Sequence, residues 1–119
     1  MVIVDTSIWV SHLRTGSSRL KALLENEEVL CHPLVVGELA CGYIRNRTEI
    51  ISLLQSLPMS EVAGHGEILQ FIESHGLMGV GLGLIDVHLL AAAFLSGSPL
   101  WTSDRYLRTA SVRLGINYR

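Results

Sequence analysis

The chain contains one lysine, two cysteines and few charges, and each scarcity removes a class of function. Lys21 is followed by Ala22, so no Gly-Lys-Ser/Thr element exists to cradle a nucleotide phosphate, and a P-loop NTPase is excluded. Schiff-base chemistry has only the same surface-placed candidate. Cys31 and Cys41 form no Cys-x-x-Cys pair, and with His32 their spacing matches no standard zinc ligand set. Their apolar neighbours make both thiols expected core residues. No secretory apolar region opens the sequence, which predicts a reduced, cytoplasmic protein. Charged residues are 17% of the chain, against a typical ~25%, and the formal net charge is −2. The molecule as a whole is no polycation drawn to nucleic acid.

Apolar residues, by contrast, make up 49% of 119 residues. A chain of this length is expected to form one domain over residues 1–119 and to bury roughly two thirds of its unfolded surface, with no need of a disulfide or metal staple. From Gly76 to Ser103 the only charge is Asp86. Leu77 to Leu95 has about the 20 residues that a bilayer demands. Gly79, Gly81 and Gly83 break its first half, at about 1 kcal/mol each in a helix, and Asp86 near the bilayer centre would cost about 3 kcal/mol more. The segment is read as a buried helix, not a membrane span.

Short apolar strands alternate with amphipathic helices along the whole chain. Val2-Ile3-Val4 reads as a buried strand, Val29 to His32 as a second, Leu100-Trp101-Thr102 as a third, and Ile116-Asn117-Tyr118 as an edge strand. Helices are expected over Ile8–Leu13 with Thr6 or Ser7 as cap, from Ser18, from Pro33 to Gly42, over Thr48–Leu57, Glu67–His75, Leu84–Leu95 and Arg105–Leu114. The helix from Leu84 is apolar nearly all round and should be sandwiched. Such alternation implies an α/β fold with a parallel sheet covered on both faces. The run Gly79-Val80-Gly81-Leu82-Gly83 lacks the spacing of a dinucleotide fingerprint and reads as a flexible entrance to that helix.

The eleven acids divide into two classes. Seven glutamates lie on polar faces or at helix ends. Asp5, Glu38, Asp86 and Asp104 stand instead in apolar company, at strand ends or inside apolar helices. Burying an ionised carboxylate is unfavourable unless it is paired or bound to metal, and no cation lies within four residues of Asp5, Glu38 or Asp86. Asp5 and Asp104 also suit helix N-caps, and Arg45 or Arg105 could be a structural partner for Glu38 or Asp86. A gathering of carboxylates at the carboxyl ends of parallel strands would select Mg²⁺ or Mn²⁺ over zinc or copper. Such clusters hydrolyse phosphodiesters. Arg45, Arg47, Arg105 and Arg108 could grip a phosphate backbone, or simply form solvated faces. His88 reads as a core or structural histidine. An aspartyl-phosphate phosphatase would want a second Asp where Ser7 stands.

The motifs Val2-Ile3-Val4-Asp5-Thr6-Ser7, Val36-Gly37-Glu38-Leu39, Gly81-Leu82-Gly83-Leu84-Ile85-Asp86-Val87-His88-Leu89-Leu90-Ala91-Ala92 and Leu100-Trp101-Thr102-Ser103-Asp104 together resemble a PIN domain, specifically the VapC toxins of bacterial toxin–antitoxin pairs. The resemblance runs in order from residue 2 to about 118. It implies a three-layer α/β/α sandwich and a Mg²⁺- or Mn²⁺-dependent endoribonuclease that leaves 5′-phosphate and 3′-hydroxyl ends. Asp5, Glu38, Asp86 and Asp104 would be its catalytic and metal-binding acids, with Ser7, and after it Thr6, as a hydroxyl that orients metal-bound water. It also implies an RNA substrate such as tRNA or rRNA, a VapB-type antitoxin partner and a homodimer. The alternative is a non-catalytic PIN-like module that binds RNA or protein.

Overall fold

In the computed structural model, which describes residues 1–119 throughout, three strands form a parallel sheet. β1 (Val2–Val4) lies between β2 (Val29–Leu30) and β3 (Leu100–Trp101). Val2, Ile3 and Val4 are all buried, as expected of a central strand covered on both faces. The sheet extends beyond its named strands. Single parallel bridges set Met59 beside Cys31 and Asn117 beside Leu100. Cys31 N–H donates to the Pro58 carbonyl at 2.8 Å, and Leu100 N–H to that of Ile116 at 2.7 Å. The expected strand over Ile116–Tyr118 is thus reduced to one bridge. The second strand ends at Leu30, because His32 already turns to cap the next helix.

Seven helices accompany the sheet: α1 (Thr6–Thr15), α2 (Ser18–Glu25), α3 (Pro33–Cys41), α4 (Arg47–Gln55), α5 (His65–His75), α6 (Leu84–Ser96) and α7 (Arg105–Arg113). Their ends follow local chemistry. Ser17 Oγ accepts from Leu20 N–H at the start of α2, and His32 Nδ1 accepts from Leu34 N–H at 3.0 Å before Pro33 opens α3. Gly76 and Gly97, both left-handed, close α5 and α6. The cap of α1 is Asp5, not Thr6 or Ser7; both hydroxyls are engaged elsewhere, as described below.

α6 is the hub of the packing. Every residue from Val87 to Ala93 is buried, and the helix touches α5, α7 and β3, while α1 packs on α3 and α3 on α4. The architecture is the expected α/β sandwich. Of the two cysteines, only Cys31 is a core residue, its thiol pushed up to about 11 by burial; Cys41 ends α3 on the exposed side.

From β1 the chain leaves toward β2, whereas from β3 it leaves toward the opposite edge, where Asn117 pairs. Adjacent parallel strands whose connections diverge open a crevice beyond their carboxyl ends. Asp5 and Thr102 stand at that crevice.

The packing predicts a contrast on one helix. Leu89→Ala, at a fully buried position, should lower unfolding free energy in urea by about 2–5 kcal/mol. Leu95→Ala, at an exposed position of α6, should change it by roughly 0.5 kcal/mol or less.

Candidate active site

Asp5 is the one buried acid of the set, 6% exposed. Its N–H donates to the Trp101 carbonyl at 2.9 Å, continuing the β1–β3 ladder past the strand end. Although it holds the cap position of α1, its side chain does not cap. Instead Oδ2 accepts from Ser7 Oγ and from Thr102 Oγ1, both at 2.7 Å. The same two hydroxyls accept backbone N–H groups from the loop after β3: Ser103 onto Ser7 at 3.1 Å, and Asp104 onto Thr102 at 3.0 Å. Two residues almost a chain length apart therefore share one carboxylate oxygen and fix the loop that delivers Asp104.

The other three acids come from separate elements. Glu38 Oε1, on α3, accepts from Thr6 Oγ1 at 2.6 Å. Asp86, in the first turn of α6, accepts from Gly83 N–H at 2.9 Å. Asp104 caps α7, its Oδ2 accepting from Leu107 N–H at 2.8 Å. Glu38 and Asp104 are exposed, contrary to the apolar surroundings their sequence neighbours suggested. On α3 the buried positions are Val35, Val36 and Leu39. The helical period turns Glu38 away from them.

Their electrostatics tie the four together. The Asp86 carboxyl is raised above its ordinary value, chiefly by partial burial and further by the charges of Asp5, Asp104 and Glu38; only the Gly83 hydrogen bond opposes this. No three of these side chains stand close enough to clasp an ion as they are placed. The expected convergence is therefore an open gathering along one edge and not a closed cage. Each acid holds one oxygen on a protein donor, and its second oxygen has no hydrogen bond from the protein. Four hard oxygen donors of this kind fit Mg²⁺ or Mn²⁺ and do not fit a soft metal.

None of the four suggested phosphate-binding arginines pairs with an acid here. Arg47 donates to the Ala40 carbonyl at 2.7 Å and Arg108 to that of Thr102 at 3.2 Å. Arg105 lies against the ring of Tyr106. Arg45 lines a groove of about 1010 Å³ that begins at Thr6 and Glu38 and continues past Arg14, Tyr43 and Arg47. Behind the acids, His32 and His88 are buried with ring centroids 6.2 Å apart. Burial lowers both, His32 to about 4, and each ring keeps one buried nitrogen without a hydrogen-bond partner. Sequence reasoning missed Thr102. Its signal was a hydroxyl two residues before an N-capping aspartate, where it can reach that residue's N–H.

Two outcomes follow from these contacts. Thr102→Val deletes a hydroxyl that serves Asp5 and Asp104 together, and should destabilise the protein by about 1–3 kcal/mol in urea, with Thr102→Ser close to the original. Asp86 binds its proton more tightly folded than unfolded, so it opposes folding increasingly as pH rises from its unfolded value near 3.8. Asp86→Asn should therefore raise the melting temperature of the metal-free protein at pH 7, with the gain disappearing below pH 4.

The PIN domain family model matches residues 2–112. Ribonuclease VapC32 of Mycobacterium tuberculosis, in strains CDC 1551 / Oshkosh and ATCC 25618 / H37Rv, is 42% identical over 117 residues, covering 98% of this chain and 94% of the relative. Among solved structures, the crystal structure of PAE2754 from Pyrobaculum aerophilum superposes with a TM-score of 0.66 at 18% identity, over 96% of this chain and 94% of that one; at that identity the likeness speaks for the fold alone. A central parallel sheet, carboxylates at its carboxyl edge and a family match over nearly the whole length agree, and the chain belongs to the PIN domain family.

Proposed function

We propose that the protein is a Mg²⁺- or Mn²⁺-dependent endoribonuclease, the toxin of a VapBC-type pair, working in the cytoplasm as a single domain. The observation that carries the reading is that hydroxyls of Thr6, Ser7 and Thr102 hold Glu38 and Asp5 at the sheet's carboxyl edge, in a chain 42% identical to a protein named a ribonuclease. Asp5, Glu38, Asp86 and Asp104 would hold the ion through the oxygens that the protein leaves free. Bound there, it supplies charge neutralisation at the phosphate and a lowered pKa for the attacking water.

The chain's own residues do the positioning. Ser7 and Thr102 lock Asp5, and Thr6 holds Glu38, so two of the acids are aligned by hydroxyls from α1 and the β3 end. Ser7 and Thr102 each donate an O–H hydrogen bond to Asp5 while accepting one from a backbone N–H. In the proposed reaction the attacking group is water, so these hydroxyls serve to position the Asp5 carboxylate, and no covalent enzyme intermediate is expected. Four carboxylates repel an RNA phosphate, so substrate approaches only once that charge is offset.

The groove leading from Glu38 has an apolar floor of Val10, Leu13, Leu39 and Ile50, with Arg14, Arg45 and Arg47 along it. It suits a segment of a VapB-type antitoxin that would cover Glu38 and Thr6, which line it. Arg45, Arg47, Arg105 and Arg108 remain the residues proposed to meet the RNA backbone, and the protein is proposed to act as a homodimer. The alternative, a non-catalytic PIN-like module that binds RNA or protein, would keep this fold and show no metal-dependent cleavage.

Substitution of the acids tests the reading. Asp5→Asn, Glu38→Gln, Asp86→Asn and Asp104→Asn should each lower RNA cleavage by at least about 100-fold, and excess chelator should abolish cleavage by the original protein. Asn caps a helix about as well as Asp, so Asp104→Asn should stay folded by circular dichroism. Cleavage at the original rate by the Asn variants, or in chelator, would overturn the metal-site reading.

A further inference from the structure

Asp86 and Asp104 carry like charge and act from the first turns of two different helices. Asp86 is anchored on Gly83 N–H, and Asp104 on Leu107 N–H. A contact that involves neither carboxylate lies between these anchors. Gly81, at φ +84°, sits against the ring of Tyr106: a Cβ added there would meet Cδ1 at 2.8 Å, Cγ at 2.9 Å and Cε1 at 3.2 Å. Gly81 stands just before the N–H that holds Asp86, and Tyr106 just after Asp104. Arg105 braces the ring, its Cζ 4.9 Å from the centroid and its Nη2 donating to Tyr106 Oη at 2.9 Å. At the far end of α7, Arg113 Nη2 donates to the His75 carbonyl at 2.7 Å. The segment between α5 and α6 is thus fastened to α7 at both ends, where the sequence suggested a flexible entrance.

We propose that the Gly81–Tyr106 contact is a positioning staple that sets the spacing of Asp86 and Asp104 against their mutual repulsion and so prepares them for a divalent cation. The inference rests on the four-carboxylate metal site proposed above. Only glycine offers both the positive φ and a bare backbone for the ring. Dispersion falls steeply with separation, a gap of about 0.5–1 Å forfeiting a quarter to a half of it, so the loop cannot drift outward without losing the contact.

Gly79 provides the control. It lies in the same loop at φ +67°, but a Cβ there meets nothing within 4 Å, so alanine at Gly79 imposes backbone strain without the clash. Mn²⁺ affinity of the metal-free protein, measured by calorimetry, is the first readout; kcat and KM for RNA cleavage are the second. Gly81→Ala should weaken Mn²⁺ binding and lower kcat by about tenfold each, with KM for RNA little changed, and Gly79→Ala should stay within about twofold of the original. Tyr106→Ala should weaken Mn²⁺ binding several-fold, and Tyr106→Phe, which keeps the ring, should restore it. Gly81→Ala combined with Tyr106→Ala should be no worse than Tyr106→Ala, because the clash needs both partners.

Equal losses at Gly79 and Gly81 would reduce the effect to backbone strain and overturn the staple, as would original affinity in Tyr106→Ala. Should Gly81→Ala fail to fold, the comparison of Tyr106→Ala with Tyr106→Phe decides the matter alone. An original protein that binds Mn²⁺ but cleaves no RNA would refute the ribonuclease reading while leaving the staple to be judged on affinity. One that binds no Mn²⁺ would refute both.

Discussion

Carboxylates gathered at one sheet edge repel one another, and much of the local structure around them restrains that repulsion. The restraint is built from weak donors. Asp5 has two hydroxyls on one oxygen, Glu38 has one, and Asp86 and Asp104 each rest on a backbone N–H of their own helix start. None of these partners is a cation. A neutral donor holds a carboxylate in place without cancelling its charge, so the negative potential of the site survives for something else to neutralise. An Arg or Lys in the same positions would have fixed the geometry equally well and removed the reason for binding a cation.

Strand positions and the acids at their ends were legible in the sequence because both depend on local signals. Val2-Ile3-Val4 is β-branched without alternation, and Asp5 and Asp104 sit at the junctions of strand and helix where a short acceptor is expected. What surrounds Glu38 was not legible. Apolar neighbours in sequence are not apolar neighbours in space, because α3 places Val35, Val36 and Leu39 inward and Glu38 outward. The same holds for Cys41, which is exposed. Thr6 and Ser7 looked like caps because hydroxyls near a helix start usually are. Their actual acceptors, Glu38 and Asp5, are chosen by the tertiary fold.

Contacts between distant segments were hidden for a related reason. Thr102 meets Asp5 only because β1 and β3 are neighbours, and that pairing is a property of the sheet order and not of either strand. Arginines near the C-terminus suggested a cationic face; in the fold Arg108 and Arg113 each also give a hydrogen bond to a carbonyl group of a loop or helix end. The groove beside Glu38 likewise arises from the packing of α1 against α3 and of α3 against α4. Its two halves lie in different parts of the chain.

The single bridges at Met59 and Asn117 have a consequence for how the molecule meets other chains. An unpaired strand edge is a template for intermolecular pairing. Here each outer strand already gives its hydrogen bonds to a short passing segment, Pro58–Ser60 on one side and Ile116–Tyr118 on the other. Neither segment continues as a ladder, and one of them begins with proline, which has no N–H to offer. Sheet growth is thereby terminated from within the chain. An extended peptide arriving at either side finds no continuous ladder to join, which favours recognition by shape and charge over backbone pairing.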